Sequence, residues 1–229
     1  MPSREKTLLF AGAFCSSVGS FVLLCVVLAT RSWVASDIRF AGANSSVTVT
    51  LTVTYGLFQG TCEQTVADDL KISETPFQVA DTVKKAETKA TNVAIIVLLV
   101  LALLSSLLSA GFTGMNVVSN PYQTFLGPIG VYTWNVINGI LTLLVLILFA
   151  VNIESNGLSV ELAEVCYALP TTFMSSKNTY GYSYWIMLLI IFLNIATIII
   201  IYFYNHARYY KKKEQERPIE NAPKDVILF

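Results

Sequence analysis

Side chains able to do chemistry are sparse in this chain, and their spacing excludes most catalytic arrangements. There is one histidine, His206, and there are four cysteines, Cys15, Cys25, Cys62 and Cys166. No serine and carboxylate stand with His206 as a nucleophile, base and orienter would, and no His, Cys, Asp and Glu share a metal-ligand spacing. No glycine-rich phosphate cradle is present either. The residues therefore read as non-catalytic and call for no cofactor or metal. Modification, cross-linking and terminal recognition remain. Asn44-Ser45-Ser46 is an N-glycosylation pattern. Cys62 and Cys166 fall in segments read below as extracellular, an oxidising setting. A bridge between them is one reading, but spacing in the chain does not supply the proximity a disulfide needs. Cys15 and Cys25 sit in an apolar run and behave most simply as small apolar residues. The ending Asp225-Val-Ile-Leu-Phe229 places Ile227 and Phe229 where a PDZ-type groove captures a free carboxylate by strand addition. Short apolar endings are common, so this motif has little specificity.

The elements that must hold these residues are largely membrane spans. The chain has 229 residues, 54% of them hydrophobic and 13% charged, with mean hydropathy +0.61. That is too little charge for an ordinary soluble domain. Formal net charge is zero, so no global field argues for nucleic acid. Four windows lack any Asp, Glu, Lys, Arg or His: 8–30, 92–118, 129–151 and 184–205. Each meets the ~20 residues needed to cross a hydrocarbon core of about 30 Å as a helix. The first window exceeds the apolar core of a cleaved signal peptide, which is about 7–15 residues.

Basic residues flank both outer ends of this frame, Arg4 and Lys6 before it and Arg208, Lys211, Lys212, Lys213 and Arg217 after it. Four spans put both termini on one side, and the charge bias makes that side the cytosol. Segments 31–91 and 152–183 are then extracellular loops, and 206–229 is a cytosolic basic tail suited to anionic inner-leaflet lipid.

One stretch, 46–62, does not read as helix. Val47, Val49, Leu51, Val53 and Tyr55 alternate with Thr48, Thr50, Thr52 and Thr54, a half-buried strand. Asp37-Ile-Arg-Phe40 is a candidate partner strand, and since a lone hairpin is marginal in water, three or more strands or cover from elsewhere are expected. Residues 80–90 have helix-favouring composition and extend the second span outward. Trp33 reads either as an interfacial anchor or as packing beneath the sheet. The aromatic run 180–185 reads as an interface belt.

Inside the spans, Gly12, Ser16 and Ser20 form a small-residue stripe, and Ser105, Ser109, Ala110 and Gly114 form another. Asn135, Asn138 and Thr142 share one helix face, and Asn194 sits mid-span in the fourth helix. Amides in hydrocarbon seek partners, so these read first as interhelical contacts and second as a polar ligand pocket. The fold class is thus mainly α: a four-helix membrane bundle carrying a small extracellular β-sheet from the first loop.

Trp33 after the first span, the strand leading into Tyr55-Gly-Leu-Phe-Gln-Gly60, and four spans with cytosolic ends resemble the claudin-like tetraspan proteins. Claudins carry Gly-Leu-Trp followed by two cysteines; here Gly56-Leu57-Phe58 stands in its place and Cys62 follows alone, so their intraloop disulfide cannot form. The sequence more closely resembles the clarins, through MPSREKTLLF at the start, TYGLFQG at 54–60, NPYQTFLGPIGVYTWN at 120–135, YGYSYW at 180–185 and ENAPKDVILF at the end. The resemblance implies a plasma-membrane tetraspan protein without catalytic activity. Two functional classes follow. One is an organiser that recruits membrane, cytoskeleton-linked or PDZ-domain proteins, or copies of itself. The other is an auxiliary channel subunit or claudin-like barrier in which Asp37 and Arg39 set ion preference.

Overall fold

The computed structural model describes residues 3–41, 48–66, 70–118, 127–166 and 172–215. Four helices long and apolar enough to cross a membrane form its frame: α1 (Ser3–Ala29), α3 (Ala86–Val118), α4 (Pro128–Glu154) and α6 (Tyr182–Gln215). In the bundle α1 packs on α3 and α6, and α4 closes the ring by packing on the same two. Their 33 and 34 residues make α3 and α6 about 50 Å long at 1.5 Å per residue. Both therefore outrun a bilayer core. The excess of α6 is the basic segment, which is helical to Gln215 rather than starting a separate tail at 206.

The bundle buries polar side chains among apolar ones and is apolar outside. Ser17, Ser20, Ser106, Ser109, Asn135, Asn138, Thr142, Asn194 and Thr197 are buried, while Val97, Leu104, Leu107, Ile140, Ile147, Phe192 and Ile199 are exposed. An apolar belt of that extent is untenable in water and is what hydrocarbon requires. Cys15 and Cys25 are on this exposed surface as free thiols.

Over one end of the bundle lies a five-stranded antiparallel sheet ordered β4-β3-β2-β1-β5. Its strands are β1 (Val34–Ala41), β2 (Thr48–Tyr55), β3 (Gln59–Val66), β4 (Leu70–Gln78) and β5 (Thr172–Tyr180). The alternation in β2 is realised: Val49, Leu51, Val53 and Tyr55 are buried and Thr50, Thr52 and Thr54 are not. β1 contains Asp37–Phe40 and pairs Ile38 with Leu51.

Several expectations need correcting. Within the stretch 46–62, the described residues 48–62 form one strand, a turn and the start of another, with Cys62 on β3 rather than after β2. The sheet is not built by the first loop alone, because β5 comes from the segment between α4 and α6. Residues 80–90 are not one outward extension. A single turn, α2 (Val79–Thr82), is followed by non-helical 83–85, and α3 begins at Ala86. A short amphipathic helix, α5 (Leu158–Cys166), lies between sheet and bundle. It buries Leu158, Leu162 and Ala163 in one apolar core with Ile38, Leu51 and Val53 of the sheet and Val27 and Phe149 of the bundle.

Candidate functional site

The sheet is held on the bundle by four linked devices, and it turns one charged face outward. The first device is Trp33. It is fully buried, donates its indole N–H to the Val27 carbonyl at 3.0 Å, and packs on Phe149 at a ring separation of 4.7 Å. Its backbone N–H meets the Tyr55 carbonyl and its own carbonyl accepts from Gly181 N–H. Of the two readings of Trp33, packing holds and interfacial anchoring does not. Gly56 and Gly181 permit this close approach, since a Cβ on either would overlap the backbone of Thr30 or Ser32. Tyr182 and Trp185 carry the exposed aromatic surface at the start of α6, while Tyr184 packs inward on Phe149 and Tyr180.

The second device joins Cys62 on β3 to Cys166 at the end of α5, with Cα atoms 6.3 Å apart and a sequence separation of 104. The third is Glu161 on α5. Its Oε1 accepts the backbone N–H groups of Lys84 and Lys85, each at 2.6 Å, just ahead of α3. The carboxylate thus meets the positive end of the α3 dipole, which stabilises its charge despite 5% exposure. Bonds to a charged group contribute roughly 1.5–3 kcal/mol each, but water can take up the amides freed beside exposed Lys84 and Lys85. Glu161→Leu is therefore expected to cost about one such bond, roughly 2 kcal/mol, and Glu161→Gln less than half of that. Thermal unfolding in detergent measures both.

The fourth device is a buried hydroxyl chain. Tyr55 Oη lies 2.7 Å from Ser159 Oγ, which lies 2.9 Å from Ser36 Oγ, itself 2.8 Å from Asn178 Oδ1. Asn178 then donates to Glu154 Oε1 at 3.2 Å. A hydroxyl has one proton and the amide oxygen only accepts. Ser36 must donate to Asn178 and accept from Ser159, so Ser159 accepts from Tyr55. Every bond in the chain consequently points the same way, from phenol to carboxylate. Burial pushes the Tyr55 phenol well above its ordinary value, which keeps it a donor.

The sheet's other face is polar. Register aligns Glu74 with Glu63, Glu63 with Thr52, Thr52 with Asp37 and Asp37 with Lys177, one row across all five strands. Three of its five residues are carboxylates. Like charges directly opposite, as at Glu74 and Glu63, are unfavourable in a sheet unless other groups offset them. Thr52 Oγ1 donates to Asp37 at 2.8 Å, and Arg39 lies one row further toward the distal end; Asp37 and Arg39 are both exposed.

In the bundle, Asn135 donates to Ser109 Oγ and the Val131 carbonyl, both at 2.7 Å, and Ser109 Oγ meets Ser17 Oγ at 3.1 Å. Asn138 donates to Asn194 Oδ1 at 3.2 Å and to Ser20 Oγ at 3.4 Å. Ser16 donates to the Leu193 carbonyl, so the first-span stripe faces α6. These amides bridge helices, the simpler of their two readings. Asn44, Ile227 and Phe229 lie outside the described residues. Glu161, Ser36, Ser159 and Asn178 escape a reading by motif. The available signal was positional: Ser36 interrupts the apolar alternation of β1, and Glu161 interrupts the apolar face of α5.

A family model described as Clarin-2-like matches residues 5–201. Clarin-3 of Mus musculus is 46% identical over 229 residues, covering 100% of each chain. Clarin-3 of Homo sapiens is 44% identical over 231 residues, again covering 100% of each. Clarin-1 of Rattus norvegicus is 24% identical over 205 residues, 85% of this chain and 86% of that protein.

Proposed function

This chain belongs to the clarin family of tetraspan membrane proteins, and from that premise we propose that it acts as a non-catalytic organiser at the plasma membrane. Both termini face the cytosol in this reading, the sheet is extracellular, and Asn44 between β1 and β2 carries a glycan. Partners are other membrane or cytoskeleton-linked proteins, a PDZ-domain protein at Ile227 and Phe229, or further copies of the chain.

The observation that carries the proposal is the contrast between the two faces of the sheet. One face is fixed to the bundle by Trp33, Glu161, a disulfide and a hydroxyl chain. The other presents the Glu74, Glu63, Asp37 and Lys177 row with no covering element among the described residues. A surface that rigid and that charged suits docking with small ordering cost. Complexes captured from cells in mild detergent test it. Simultaneous reversal of Asp37, Glu63 and Glu74 to lysine is expected to lower recovery of the extracellular partner at least ten-fold. Removing Val226–Phe229 is expected to lose the cytosolic one. Undiminished recovery with both changes defeats the organiser reading.

The exposure of Asp37 and Arg39 favours one second reading, an auxiliary channel subunit or barrier component. In cells whose conductance depends on this protein, reversing both charges then shifts ion preference, and an unchanged reversal potential counts against it.

A further inference from the structure

Beside the junction described above is a pocket of about 290 Å³, lined by Leu28, Ala29, Thr30, Arg31, Phe58 and Gln59. It opens between the C-terminal end of α1 and the turn joining β2 to β3. Its level relative to α6 is fixed by hydrogen bonds: Thr30 Oγ1 to Ser183 Oγ at 2.7 Å, and Ser183 N–H to the Ser32 carbonyl at 3.2 Å. These hold the end of α1 level with the first turn of α6, where Tyr182 and Trp185 are exposed. That level is the membrane–water boundary, where amphipathic aromatics reside.

The lining holds groups suited to both charges of a zwitterion. Arg31 is exposed and has no carboxylate partner among the described residues. A guanidinium there is a bidentate donor suited to a phosphate diester. Two other features of the lining suit a cation. Phe58 is 46% exposed, and its backbone is pinned by Val79 N–H to the Phe58 carbonyl at 2.9 Å, so an aromatic ring is presented rather than tucked away. The last carbonyls of α1 add the negative end of a helix dipole. Leu28 supplies an apolar wall continuous with the lipid-facing side of α1. The volume lies just under the roughly 300–1,000 Å³ of pockets that enclose whole small molecules, so it holds a headgroup and not a sterol.

We propose that this pocket binds the zwitterionic phosphocholine headgroup of an outer-leaflet lipid. The phosphate sits on Arg31, the trimethylammonium lies against Phe58 and the end of α1, and the acyl chains run down past Leu28. The assignment to the outer leaflet rests on the orientation proposed above; binding itself does not.

The test uses the full chain in lipid nanodiscs of equal parts phosphatidylcholine, phosphatidylglycerol and diacylglycerol, with retained lipid read by native mass spectrometry. Symmetric discs make the result independent of orientation, which protease access to an N-terminal tag in cells decides separately. Wild type is expected to retain one phosphatidylcholine in preference to the other two. Arg31→Glu and Arg31→Gln lower that retention at least ten-fold, and Phe58→Leu lowers the choline-over-glycerol preference. A thermal unfolding transition in detergent matching that of wild type verifies that each variant is folded. Wild-type retention by the folded Arg31 variants overturns the proposal, as does equal retention of phosphatidylglycerol or diacylglycerol by wild type.

Discussion

Replacing Trp33 with alanine is expected to remove about 3–5 kcal/mol of stability, the largest effect of any single side chain where sheet and bundle meet. The indole fills the space where α1 ends, β1 begins and Phe149 of α4 closes in, and it is fully buried. Deleting it creates a cavity bounded by several elements, none of which can collapse without moving the sheet. Trp33→Phe separates the contributions. It keeps most of the packing but loses the bond to the Val27 carbonyl, for which about 1 kcal/mol is expected. Unfolding in detergent followed by near-ultraviolet circular dichroism measures both variants. An interfacial anchor behaves differently: its truncation barely changes stability in detergent and alters placement in the bilayer instead. A loss below about 1 kcal/mol for Trp33→Ala sits outside the range for a buried aromatic and contradicts the burial described here.

Opening the Cys62–Cys166 bond is expected to have the next largest effect. In a free chain, closing a loop of about 100 residues contributes about 4.7 kcal/mol by chain entropy. Here α3 and α4 lie within the loop of 104 residues and stay in the membrane when the sheet unfolds, so the unfolded ensemble is already restricted. A loss nearer about 2–4 kcal/mol follows. Cys62→Ser, Cys166→Ser and the double variant should lower the melting temperature equally, because either single change removes the same bond. Reductant should reproduce that shift in the wild type and leave the variants unmoved. An unchanged wild-type melting temperature, with free thiols verified by mass, would falsify the claim that this bond clamps the sheet.

How much of this was legible follows from where the physical signal lies. The spans are read from length and lack of charge, because hydrocarbon tolerates nothing else. β2 is read from its period of two, because one face is buried and the other is not. Asn135 and Asn138 are read as bridging groups from spacing on one helix face. β5 is hidden for the converse reason. It is an edge strand, and Phe173, Met174, Ser175, Ser176 and Lys177 are all exposed, so burial imposes no alternation on it. α5 is hidden because nine residues with Glu161 among them show too few turns to establish a helical period. The binding partner of Glu161 is a pair of backbone amides some 76 residues away, which no side-chain pattern encodes. Trp33 illustrates the remaining limit: an indole just past a span suits an interface and a core equally, and three-dimensional packing alone decides.

The one-way order of the hydroxyl chain has a consequence for how this protein can vary among species. Tyr55 donates into the chain, and Ser159, Ser36 and Asn178 each accept from one neighbour and donate to the next, so a substitution at one site alters what the others require. Tyr55→Phe leaves Ser159 without its donor, and Asn178→Asp swaps the donor facing Glu154 for a second carboxylate. Single changes are penalised while compensated sets are not. These four positions, drawn from both polypeptide segments that build the sheet, are therefore expected to vary together rather than singly, which an alignment of relatives would check.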